Sequence, residues 1–282
     1  MKRILSTGLL INKNHANYRW VSKYIITYLY EQHLPMVMNL QETIIQNLER
    51  PDLLQPFSYD FMKRHMGHQG FVLGVFAGHR LVAFRNLYYP DPWDEEWNLG
   101  RDMALPEEEL SKVANLQMVC VHPDFRGSNL GYTMNQITLK LLRQRKTHHH
   151  ICATVSPYNV WNLPILLSSG FQVVKLKNKY GGKLRYIVYQ NLRTPVTYDD
   201  SRPVYVRLDD LDTQKKLLDS DYCGVAVRRR EDTHTENRVS HFELVFKPRL
   251  CQKERSSNGT RPFLSHTFHP ITTQIPAMAA AL

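Results

Sequence analysis

Leu116-Gln117-Met118-Val119-Cys120-Val121-His122-Pro123-Asp124-Phe125-Arg126-Gly127-Ser128-Asn129-Leu130-Gly131-Tyr132 carries an apolar strand through a proline into a turn of small residues, then into a helix. The helix is expected from about Asn129 to Arg145, because Leu130, Met134, Ile137 and Leu141 recur on one face. A helix that starts straight after a tight turn offers unpaired N–H groups and partial positive charge. Those donors converge on phosphate oxygens. Gly127 and Gly131 let the backbone approach closely, and the Arg126 guanidinium can hold phosphate bidentately.

Working outward, a strand is expected over His150 to Val155, then a helix from Pro157 to Ser168 capped by Ser156 and closed by Gly170. Pro164 should bend that helix, with Trp161 and Leu163 to Leu167 in its core. Towards the N-terminus the pattern predicts a helix within 31–50 and a second one capped by Ser58. A hairpin over 70–76 and 80–87 turns at Ala77-Gly78-His79, and a long connection spans 88–114. A last hairpin, Phe171 to Leu176 and Leu184 to Leu192, turns at Gly181-Gly182. Residues 196–248 read as a small βαββ appendage, 1–30 as an N-terminal extension and 249–282 as a mobile tail.

Two of these segments resemble the coenzyme motif of the GNAT superfamily of N-acetyltransferases. Val121-His122-Pro123 matches its strand end, Arg126 its first turn position and Gly131 its last, while Asn129 stands where a middle glycine is expected. Asn159, eleven residues before Gly170-Phe171, matches the family's asparagine segment. The resemblance spans about 31–192, or 31–195 as a domain. It implies an α/β fold with a mixed central sheet, the GNAT acyl-CoA N-acyltransferase fold, in which strands 116–121 and 150–155 splay apart around a thioester. Acetyl-CoA or another acyl-CoA is the implied co-substrate, with no metal. The implied coenzyme contacts are Val119, Val121, Arg126, Gly127, Ser128, Asn129, Leu130, Gly131, Tyr132 and Asn159.

An acceptor amine would attack the thioester directly, and its positioning would supply much of the rate. Where the family often has a tyrosine acid the chain has Leu166, leaving Tyr158 or Tyr132 as substitutes. Where it often has a glutamate base the chain has Asn115. Glu95, Glu96, Asp102 and His122 are the other candidates for proton transfer, although a histidine before this proline also serves to fix a strand end. The aromatic and acidic segment 88–97 is a candidate seat for a cationic, small-molecule amine. A non-catalytic acyl-CoA-binding or sensing module is the alternative function. A third reading makes the enzyme protein- or RNA-directed, docking through 196–248.

The 282 residues, 43% hydrophobic and 22% charged, suffice for one sizeable core and an appendage. A net charge of +10 suits an anionic partner, yet no compact basic run interleaved with aromatics points to nucleic acid. The four cysteines form no Cys-x-x-Cys pair, which excludes zinc-ribbon and redox motifs. His148-His149-His150 enters a strand, where alternate residues face opposite sides, so no shared metal is expected. No run approaches membrane-span length, so a soluble, cytoplasmic protein is expected, with a homodimer as the assembly to look for.

Overall fold

The computed structural model describes residues 3–11, 21–230 and 238–250. The strands are β1 (Ile4–Ile11), β2 (Val21–Leu29), β3 (Gly70–Ala77), β4 (Arg80–Tyr88), β5 (Val113–Val121), β6 (His150–Val155), β7 (Gln172–Lys179), β8 (Lys183–Asn191), β9 (Val204–Arg207), β10 (Tyr222–Arg229) and β11 (Phe242–Pro248). The helices are α1 (Leu34–Gln46), α2 (Tyr59–His65), α3 (Leu99–Asp102), α4 (Glu107–Leu110), α5 (Leu130–Arg145), α6 (Asn162–Ser168) and α7 (Leu211–Asp219). All the strands join one sheet in the order β1-β2-β3-β4-β5-β6-β8-β7-β10-β11-β9. Among the described residues only β5 and β6 pair in parallel, so the sheet is mixed, as the resemblance implies.

The sheet divides two cores. On one face Leu130, Met134, Leu139 and Leu142 of α5 and Leu163 and Leu166 of α6 pack with Leu73, Leu116 and Ile151. On the other, Leu34, Val37, Leu40 and Ile44 of α1 and Met62 of α2 pack with Phe84, Met118 and Cys120. Strand β5 feeds both cores, and its allegiance changes midway. Ala114 and Leu116 face α5, but so do Val119 and Val121, which an unbroken alternation would send elsewhere. The change of phase is a β-bulge: Met118 opposes Asn86 and Leu116 opposes Leu87, leaving Gln117 between them as the extra residue.

Several boundaries differ from the sequence reading. The first thirty residues supply β1 and β2, and β2 pairs with β3 from Tyr24↔Ala77 to Leu29↔Val72. The β9-α7-β10-β11 elements fall where the βαββ pattern predicts, and β10 reaches the same sheet through Gly224↔Val173 on β7. The expected tail lies outside the described residues beyond Leu250. Helix α6 starts at Asn162 rather than Pro157, and Pro164 explains it. In a helix begun at Pro157 that proline would lack the N–H owed to Val160 and clash with its carbonyl. Starting at Asn162 puts Pro164 in the first turn, where N–H groups have no intrahelical acceptor. Pro164 therefore sets the start of the helix instead of bending it. Trp161, expected in the core, is 57% exposed, and the Arg238 guanidinium lies 5.6 Å from its ring centroid.

A buried histidine ties pH to stability. His65 at the end of α2 is 0% exposed, its Nδ1 is 2.7 Å from the Asn86 amide nitrogen, and its ring stacks on Tyr88. Burial pushes its pKa down to about 3, against a smaller opposing effect of the Asn86 hydrogen bond. The unfolded chain takes up a proton near pH 6.5 that the fold refuses, so stability falls as pH drops below about 6.5 and goes on falling to about 3. At pH 5 the loss from this group is about 2 kcal/mol. Urea unfolding at pH 7.5 and 5.0 should show a drop smaller by that amount in His65→Gln than in wild type. An equal drop in both proteins would remove His65 as the cause.

Candidate functional site

Gly127 sits at φ +75°, and a side chain there would meet nothing within 4 Å. Asn129 adopts φ 58°, ψ 16°, the left-handed conformation that asparagine tolerates better than most residues. Its side chain makes no capping hydrogen bond, so the start of α5 is left open. Among the described residues no acceptor receives the N–H groups of Gly127, Ser128, Asn129, Leu130, Gly131 or Tyr132; Thr133 donates to the Asn129 carbonyl at 3.0 Å. The open turn and the free amides make a ready anion seat. A methyl group at Gly131 would make ordinary van der Waals contact with Ile165, at 3.4 Å. Arg126 is exposed beside the turn.

Beside this turn the sheet opens. Strands β5 and β6 pair only from Val113↔His150 to Asn115↔Cys152, and beyond that register each runs on without the other. The splay expected between 116–121 and 150–155 is therefore present. The direction of the β5 backbone follows from one bond. His122 donates its N–H to the Val82 carbonyl at 2.9 Å. In an antiparallel ladder alternate residues face the partner strand, so Cys120 also faces β4, while Val119 and Val121 turn their N–H and C=O groups away from it, to the gap. Gln117, the bulge residue, has a buried side-chain nitrogen with no partner among the described residues.

Asn159 lies between β6 and α6, and its Oδ1 accepts the Asn162 N–H at 2.9 Å. Its carbonyl oxygen is thus spent on starting α6, leaving the amide nitrogen available to a ligand. Gly170 at φ +96° ends that helix, with Phe171 N–H donating to the Leu166 carbonyl at 3.2 Å. Leu166 is 1% exposed and belongs to the core.

The candidates for proton transfer fall into different surroundings. His122 is held at the strand end, its Nε2 2.5 Å from Arg80 and its Nδ1 accepting the Asp124 N–H at 3.3 Å. Burial and the Arg80 charge lower its pKa. The ring of Tyr158 lies 4.0 Å from the Arg50 guanidinium. Asn115, the last residue paired to β6, donates its amide to the Trp97 carbonyl at 2.5 Å. Asp102 is clamped between Lys177 at 2.5 Å and Lys179 at 2.8 Å, and its side chain is 5% exposed. Glu95 and Glu96 are exposed and, with Asp102, Lys177, Lys179 and Tyr180, line a cavity of about 290 Å³.

Tyr180 escaped the sequence reading. Its hydroxyl is 3.1 Å from Thr154 Oγ1, on the part of β6 that β5 has left. Its ring stacks on Trp97, which packs in turn against Phe57 and Phe61. Burial pushes its pKa up to about 12, so the phenol stays protonated. Tyr180 also holds φ 53°, beside Gly181 at 75° and Gly182 at 97°, an uncommon backbone for a bulky residue. The visible signal was the Tyr-Gly-Gly turn itself, which the sequence reading used only as a hairpin marker.

No family model matches this chain, and no curated protein matches its sequence. Among solved structures it is similar to the ribosomal-protein-S18-alanine N-acetyltransferase of Escherichia coli, with 16% identity and a TM-score of 0.44, over 59% of this chain and 91% of that one. The aminoglycoside acetyltransferase AAC(6')-Ib, in complex with coenzyme A and kanamycin, gives 12% identity and 0.44 over 60% and 95%. The loading GNATL domain of CurA from Lyngbya majuscula gives 13% and 0.47 over 60% and 98%. Among the described residues no helix is long and apolar enough to cross a membrane.

Proposed function

We propose that this protein is an acyl-coenzyme A-dependent N-acyltransferase, acetyl-CoA being the first donor to test. The observation that carries the reading is the run of free N–H groups from Gly127 to Tyr132 beside strands that part after Asn115 and Cys152. A pyrophosphate suits the first and an extended pantetheine arm the second. Arg126 would neutralise phosphate charge, and the Asn159 amide would donate to the arm. Val119 and Val121 would bond to it as a neighbouring strand does, and one of their N–H groups would polarise the thioester carbonyl.

The reaction forms a C–N bond as the C–S bond breaks. The attacking amine loses a proton and the departing thiolate gains one. Tyr180 is the phenol we assign to the second transfer, because it is protonated and hydrogen-bonded to Thr154 at the gap. Asp102 is a poor base while two lysines hold it. Glu96 and Glu95, exposed on the adjoining cavity, are better placed to receive a cationic amine, and a small-molecule amine is the acceptor class we propose.

Arg126→Ala should raise the Kd for coenzyme A by about 10-fold or more, the worth of a charge-assisted hydrogen bond. Acceptor-dependent release of free thiol should fall with it. Thiol release at the wild-type rate in the variant would defeat this assignment. Coenzyme-induced stabilisation with no thiol release across a panel of amines would favour a sensing module instead.

A further inference from the structure

We propose that Glu109, His149 and His150 form a binding site for a divalent transition metal of the zinc class. The site lies at the N-terminal end of β6, away from the gap. Two imidazoles and a carboxylate are a donor set that zinc takes readily, with a fourth position left for water. His149 Nε2 and His150 Nε2 lie 2.9 and 2.8 Å from the same oxygen of Glu109. The three ligand atoms all fall within 4.8 Å of one another. Around a tetrahedral zinc with bonds of about 2.0–2.2 Å, neighbouring donors stand about 3.4 Å apart. The contacts would open by about 0.5 Å to admit the ion.

Strand alternation would part adjacent histidines, yet His149 and His150 converge on one carboxylate oxygen. Strand β6 begins at His150, and His149 extends its edge by one bond, its carbonyl accepting the Leu192 N–H at 2.8 Å. Both N–H groups donate to the Lys112 carbonyl, at 3.1 and 3.2 Å, which fixes the two residues side by side. His148 turns elsewhere and stacks on Tyr89. The His150 Nδ1 lies 2.7 Å from the Tyr189 hydroxyl, so its Nε2 is the nitrogen turned to Glu109. A partner of this kind on the far nitrogen orients a metal-bound imidazole. The histidine side chains are each 8% exposed, while Glu109, at 34%, leaves an approach from solvent. The carboxylate gives the cluster the charge a cation needs. An ion here would pin α4, and with it the end of the connection that carries Trp97 and Asp102, to the sheet.

The test uses the full chain, stripped of metal with a chelator and titrated with Co²⁺ at neutral pH. We expect one equivalent to bind, with the visible absorption of a tetrahedral nitrogen–oxygen site, and Zn²⁺ to displace it. Affinity should fall more than about 100-fold in Glu109→Gln and in His150→Asn. It should fall about 10- to 100-fold in Tyr189→Phe, which touches only the far side of His150. If His150→Asn does not fold, Glu109→Gln decides, since it keeps the shape of a partly exposed side chain. No bound Co²⁺ at micromolar protein, or equal affinity in wild type and Glu109→Gln, would overturn the proposal and leave a hydrogen-bonded clasp.

Discussion

Valine in place of Gly127 is expected to weaken coenzyme A binding about 100-fold, a loss near 2.7 kcal/mol. The space around position 127 is open, so the effect does not arise from a clash inside the fold. It comes from the backbone. At φ +75° a β-branched residue is a true outlier, and the turn must relax towards negative φ. Relaxation re-aims the N–H groups that follow. One hydrogen bond to charged phosphate lost, at about 1.5–3 kcal/mol, accounts for the expected size. Calorimetric titration with coenzyme A measures it. The matched control is Gly78→Val, in the β3–β4 turn, where φ is +59° and the space is equally open. That variant pays a similar backbone cost yet should bind coenzyme A as wild type does. If the two valine variants bind alike, the turn at 127 is not the phosphate seat.

Asp102→Asn should destabilise the fold by about 3 kcal/mol, because it strands a cation. Lys179 is 6% exposed, and beyond Asp102 its ammonium reaches, among the described residues, the Glu96 carbonyl at 2.7 Å. Breaking a buried pair from one side leaves the other charge without compensation, whereas removing both charges is far milder. The double variant Asp102→Leu with Lys179→Met should therefore recover most of the loss in urea unfolding. Lys177, 43% exposed, can turn to solvent and should matter little to this balance. The experiment also separates two roles for Asp102. A base would show lost turnover in a protein of unchanged stability; a clamp shows lost stability first.

What the sequence revealed about this fold was mostly local. The turn from Pro123 to Gly131 was legible because proline fixes the backbone while glycine and asparagine admit left-handed conformations, and no distant contact was needed. The capping of α2 by Ser58, whose Oγ accepts the Phe61 N–H at 3.3 Å, was legible for the same reason. The misreadings share a different cause. Strand β2 is held between β1 on one side and β3, more than forty residues on, on the other. Asp102 looked like a free acid until β7 brought Lys177 and Lys179 to it. Tyr180 gained its place from Trp97 and Thr154, neither of them near in sequence. His149 and His150 come together through contacts the alternation rule does not describe, the shared Lys112 carbonyl and the Glu109 carboxylate.

The bulge at Gln117 makes β5 a strand with a change of step. Before it the odd-numbered residues look one way; after it they look the other. Which backbone groups of Val119 and Val121 are offered to a guest is therefore set by counting, since the residues here are ordinary aliphatics whose side chains carry no message. One residue more or fewer at this point would leave the composition almost untouched and turn the far half of the strand over, like a zip closed one tooth out of line. In this part of the molecule the length of the chain itself decides which way the backbone faces.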